Sequence, residues 1–173
     1  MVDLKETSPC AGLLPVQIGQ TALREVPQTP VWSVAPFAQQ HKAVAGALKT
    51  VGLSLPEAGG VSRNGEASVL WFGHDQMLVT GVASLPPMPA AVSDQSDGWT
   101  CVRIQGQAVD VLARLAPVDL RHETGVARTL IGHMTAVIIA REAGAFDVMV
   151  MRSMAKTLVH DLTVAATGVA ARD

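Results

Sequence analysis

The sequence predicts an α+β protein made of two similar, intertwined halves, each of antiparallel strands with helices on one face. Three observations lead there. Two β-rich pairs meet across short turns, ASVLWFG (67–73) with QMLVTGV (76–82) and TAVIIARE (135–142) with FDVMVM (146–151). Apolar residues at helical spacing mark other segments, among them 37–51 and 154–166. Hairpins segregated from helices belong to the α+β class.

Taken in order, residues 1–15 read as an irregular arm, because Pro9, Gly12 and Pro15 break any regular pattern. VQIG (16–19) is a short strand, and Pro27 and Pro30 bracket a second irregular piece. Phe37, Val44, Leu48 and Val51 set a helix that Gly52 stops. The first hairpin follows, turning at His74-Asp75. SLPPMPA (84–90) holds three prolines in four positions and cannot continue a central strand. It serves as the linker, 84–91, between subdomains 16–83 and 92–166 of a single domain spanning 1–173.

The second half opens with WTCVRIQG (99–106), a strand with period-two features. AVDVLARLAP (108–117) is a helix ended by Pro117. The near-continuous apolar character of TAVIIARE and FDVMVM predicts burial on both faces, with a turn at 143–145 between them. MAKTLVHDLTVAA (154–166) is amphipathic, with Leu158, Leu162 and Ala165 on one face.

Composition excludes several classes. With 173 residues, 49% hydrophobic and 16% charged, the chain can bury a core. Three Trp, three Phe and no Tyr leave that core to aliphatic residues. A net charge of −2 without a basic stripe argues against nucleic acid. No apolar run reaches membrane-spanning length, and MVDLKETSPCAG is no signal peptide. Cys10 and Cys101 lack CxxC spacing and fit a reducing cytoplasm, so a soluble cytoplasmic protein is expected.

Candidate chemistry is sparse. VSDQSDGW (92–99) concentrates Asp94, Ser96 and Asp97, but a calcium loop starting at Asp94 would need Gly and Glu where Trp99 and Gln105 stand. The cluster reads as a turn, with Asp97-Gly98 permitting positive φ. Ser153 and Lys156 match S-x-x-K without the companion S-D-N and K-T-G, so Ser153 is expected to cap the last helix. His41, His74, His122, His133 and His160 form no metal motif. Arg103, Arg128, Arg141 and Arg152 lie on or beside strands of the second half; they could bind an anion, but facing a partner or snorkelling is the expected role. Met149, Met151 and Met154 are core residues first and a partner surface second. No catalytic residue, no metal ligand and no cofactor-binding residue emerges.

SDQSDGWTCVRIQGQAVDVLARLAPVDL, ARTLIGHMTAVIIAR and FDVMVMRSMAKTLVHDL, in that order, resemble the gamma subunit of heterotetrameric sarcosine oxidase. WFGHDQMLV resembles that family's Trp-containing hairpin, and the likeness covers residues 67–165. The resemblance implies an oxidoreductase of alpha, beta, gamma and delta chains that demethylates sarcosine to glycine. Its FAD, FMN, NAD and folate belong to the larger subunits and its zinc to delta. It further implies a fold like the folate-binding domain of glycine-cleavage aminomethyltransferase and an accessory role packed chiefly on alpha. In that superfamily an acidic pair precedes the strand matching TAVIIAR. Thr135 and Ala136 stand there in this chain, and His133 and Met134 upstream restore no carboxylate, so a scaffold without the chemistry is expected. The alternatives are an independent folate-binding or folate-dependent protein, and a gamma subunit of another secondary-amine oxidase.

Overall fold

A computed structural model describes residues 7–121 and 125–172. Eleven strands and three helices follow one another among these residues. They are β1 (Val16–Ile18), β2 (Thr21–Glu25), β3 (Val31–Pro36), α1 (His41–Lys49), β4 (Val61–Asn64), β5 (Ala67–Gly73), β6 (Gln76–Thr80) and β7 (Ala90–Asp94). Then come β8 (Trp99–Gln105), α2 (Ala108–Leu112), β9 (Val126–Ile131), β10 (Met134–Ala140), β11 (Phe146–Met151) and α3 (Ala155–Ala170).

All strand pairs are antiparallel and build two sheets, β1-β2-β8-β11-β10-β9 and β4-β5-β6-β3-β7. The α+β expectation holds. Strand pairing does not divide at the proline-rich segment, however. β1 and β2 join the larger sheet through β2–β8, where Ala22 faces Gln105, and β7 borders the smaller sheet beside β3.

Alternation along the strands places the layers. On β10, Ala136, Ile138 and Ala140 face α2 and α3, while Val137 and Ile139 face the other sheet. Leu158 and Leu162 of α3 are fully buried against that first face, each stabilising the fold by roughly 1.5–3 kcal/mol. Val44 and Leu48 of α1 cover the outer face of the smaller sheet with Val34, Val69 and Val79. The inner faces meet through Val31, Leu70, Leu78, Trp99, Val137 and Met149. The result is helix, sheet, sheet, helix, with both faces of β10 and β11 buried as their apolar runs predict.

Five strands escape the sequence reading. β2 and β3 flank the prolines that suggest irregular chain, β4 and β7 are sheet edges, and β9 carries Arg128 and Thr129 amid its apolar residues. Gly52 ends α1 as expected, with φ 72° and its N–H donating to Lys49 O at 3.0 Å. Gly106 fills a tighter requirement. Its φ is 83°, and a Cβ there would lie 1.9 Å from Gln20 O in the β1–β2 turn.

Candidate functional site

β8 and β11 run side by side, so Arg103 stands directly opposite Asp147. Both belong to the set of odd-numbered residues, with Cys101 and Met149, that points between the sheets. Arg141, just past β10, reaches the same carboxylate. Arg103 Nε and Nη2 donate to Asp147 Oδ1 and Oδ2 at 2.5 and 2.7 Å, and Arg141 Nε donates to Oδ2 at 2.6 Å. The Asp147 side chain is 1% exposed and the Arg103 and Arg141 side chains 24% and 31%. A buried carboxylate needs such paired donors to offset its lost hydration.

Arg63 joins from the other sheet. It extends from β4 to donate Nη2 to Ala140 O at 2.8 Å, which ties the two sheets at their seam. Its guanidinium is held below the ordinary arginine range, first by burial and then by the positive charge of Arg141. Arg103 is pushed the other way by its hydrogen bonds to Asp147. The arginines border an open groove of about 570 Å³ with Glu66, Gln105 and Glu142 on its rim.

Behind them lies a smaller cavity of about 80 Å³, walled by Trp99, Cys101, Ile139, Arg141, Asp147 and Met149 among others. Burial, reinforced by the Asp147 charge, pushes the Cys101 thiol far above the ordinary range. The Trp99 ring stacks edge-on against Phe72 at 5.9 Å, and its Nε1–H is buried without a protein acceptor among the described residues.

The residues singled out by sequence scatter. Asp94 Oδ1 accepts Ser96 N at 2.9 Å and Ser96 Oγ at 2.6 Å, and Ser96 Oγ accepts Val31 N at 3.0 Å. These are turn-fixing bonds, and they hold the Asp94 carboxyl below its usual range. Gln28 spans to Ser96 O and Asp97 Oδ1. Gly98 closes a 3-10 turn (Ser96–Gly98) without using the positive φ expected of it. Ser153 does not cap α3. The helix begins one residue later, at an N-cap Met154 that makes no side-chain bond. Lys156 is exposed.

Among the histidines, His41 and His74 converge on Asp75 at 2.8 and 3.2 Å on the surface, while His133 and His160 are exposed and apart. His122 lies outside the described residues. No group of three or more His, Cys, Asp or Glu with metal-binding geometry occurs among the described residues. Thr135 is exposed opposite Leu130, and Ala136 is buried beneath α2 and α3, so the two share no cavity.

The arginines correct the reading most. Arg128 lies 4.4 Å over the Phe72 ring and donates to Phe72 O at 3.2 Å, and Arg152 bonds Gln28 Oε1 and Thr7 O. With Arg103 and Arg141 on Asp147, all four have partners within the chain rather than only snorkelling. Met149 is buried, whereas Met151 and Met154 are 46% and 42% exposed. Asp147 is the residue that sequence reasoning passes over. Its signal is a single acid inside FDVMVM, which a doubly buried strand holds only beside a cation.

No protein-family model matches the chain, and no curated protein sequence matches it. Among solved structures, it matches a chain of the heterotetrameric sarcosine oxidase from Corynebacterium sp. U-96, in complex with pyrrole 2-carboxylate. The TM-score is 0.81 over 95% of this chain and 96% of that chain, at 24% identity. The two chains share one fold. A structural-genomics protein from Agobacterium tumefaciens gives a TM-score of 0.39 at 12% identity, over 84% of this chain and 87% of that one, and supports no argument. At 95% of this chain the likeness extends beyond residues 67–165, the segments whose residues carry the resemblance. Among the described residues no helix is long and apolar enough to cross a membrane.

Proposed function

We propose that this chain is a non-catalytic gamma subunit of a heterotetrameric sarcosine oxidase, docked chiefly on the alpha chain beside beta and delta. One observation carries the reading: the fold match, at a TM-score of 0.81, runs over nearly the whole of both chains. The ordered resemblance of 67–165 to the gamma family agrees with it. On this reading FAD, FMN, NAD, folate and zinc reside in the other subunits, and the assembly works in the cytoplasm.

Two features of the site support a non-catalytic reading. A general base needs a carboxylate free to take a proton, and Asp147 accepts three short hydrogen bonds from two guanidiniums. Thr135 and Ala136 offer nothing in its place. The cavity enclosed between the sheets, about 80 Å³, falls well below the roughly 300 Å³ at which small-molecule sites begin, which supports the reading that no folate is held at that place.

Co-expression of the tagged chain with alpha, beta and delta tests the proposal. The expected result is one co-purifying complex with flavin absorbance and sarcosine oxidation. Assembly of an active alpha–beta–delta complex that excludes this chain would sink it. Calorimetric titration of the isolated chain with tetrahydrofolate is expected to be flat, and a saturable heat would favour an independent folate protein. A panel of N-methyl and secondary amines on the assembled complex separates sarcosine oxidation from a related oxidase.

A further inference from the structure

The groove at the seam gathers three arginines of one sign. Arg63, Arg103 and Arg141 come from three different chain segments and converge on one opening, although like charges repel. Asp147 neutralises part of their charge from beneath, and Glu66 and Glu142 on the rim act on them from outside. The charges therefore balance formally, and what the groove offers an anion is its hydrogen-bond donors. Each guanidinium also keeps donors that no described residue uses. Arg103 spends Nε and Nη2 on Asp147, Arg141 spends Nε on it, and Arg63 spends Nη2 on Ala140 O. The Nη1 groups of all three have no hydrogen-bond acceptor among the described residues.

The arginines are held from below rather than free to swing. Asp147 fixes Arg103 and Arg141 by their inner edges, and the cross-sheet bond fixes Arg63. The walls are also set by tight turns. Gly65 (φ 57°) closes the β4–β5 hairpin that carries Arg63 and Glu66, and Ala143 (φ 55°) and Gly144 (φ 69°) close the turn between Arg141 and Ala145. A set of planar forks prearranged in this way suits a planar two-oxygen anion. Glu66 and Glu142, exposed on the rim, weigh against a polyanion such as phosphate and tolerate a single negative charge.

We infer that the groove at the seam of the two sheets is a binding site for a monocarboxylate group, gripped between Arg63 and Arg141 with Arg103 behind them. The carboxylate belongs either to a small free molecule or to a glutamate or aspartate side chain of another protein. At about 570 Å³ the groove admits either. The inference does not depend on the subunit assignment, since the isolated chain carries every residue it needs.

Arginine side-chain NMR on the full isolated chain is the test, with sodium acetate, a short uncharged-capped peptide holding one glutamate, and sodium phosphate as probes. Sodium chloride at matched ionic strength is the control. Acetate is expected to shift the Arg63 and Arg141 Nε–H resonances saturably, and phosphate more weakly. A peptide that binds at least tenfold more tightly than acetate assigns the groove to a protein side chain; equal binding assigns it to a free carboxylate. Arg63→Gln is expected to weaken acetate by about tenfold and Arg63→Lys by less, because lysine keeps the charge but loses the fork. A thermal melt of each variant confirms that it folds. Shifts no larger than those in chloride, or unchanged by Arg63→Gln, overturn the site.

Discussion

Two acid-bearing regions of this molecule invite comparison, the 94–98 loop and the Asp147 position. The loop packs Asp94, Ser96 and Asp97 into four residues, yet its acids lie at the surface and mostly bond their own neighbours. Asp147 is alone in an apolar strand, yet it gathers arginines from β8 and from the end of β10. The density of polar residues thus marks a turn, and the isolated buried charge marks the organising centre. Solvation explains the difference, since an exposed acid has water for a partner and a buried one must find cations in the chain.

Breaking the centre is the strongest challenge to that contrast. Asp147→Ala leaves two partly buried arginines without their counter-charge, and a loss of ~3 kcal/mol in urea unfolding is expected. A loss below about 1 kcal/mol would mean that the arginines relax into solvent and that the centre organises little. Next in size, Arg103→Gln is expected to cost about 2 kcal/mol, and more than Arg141→Gln, because Arg103 makes two bonds to the carboxylate and Arg141 one. A double-mutant cycle with Asp147→Ala sharpens the point: the Arg103 and Asp147 losses are expected to be strongly non-additive.

The loop supplies the smallest effect. Hydrogen bonds from Ser96 hold the folded Asp94 carboxyl below its unfolded value. Its stabilisation is therefore complete above the unfolded carboxylate range and fades as pH falls through the lowered folded value. Asp94→Asn is expected to remove this acid-side dependence and to change unfolding at neutral pH less than any substitution around Asp147. Parallel urea titrations at neutral and acid pH measure both.

The same contrast explains what could be read from the sequence. β10, β11, the β5–β6 hairpin and α3 were legible because their apolar patterns are continuous or strictly periodic, so burial alone dictates them. β2 and β3 were hidden by adjoining prolines, which end these strands instead of abolishing them. β7 has no buried face to give it a pattern and exists by pairing with β3. Arg103 and Arg141 were visible as strand-associated charges, but their common partner was not, since the pairing of β8 with β11 joins residues 44 apart in sequence. Arg63 was beyond reach because it arrives from the other sheet.

The β2–β8 ladder has a consequence for how the chain reaches its final form. Ala22 to Glu25 must find Val102 to Gln105 across nearly half the chain, and β7 must be laid on β3 between those events. Pairings so distant make closure slow and late. A break in the proline-rich segment would leave β8 in one piece without β2 and β3 in the other without β7. Such fragments carry complementary unpaired strand edges, so they should recover structure by recombining with each other rather than by folding singly.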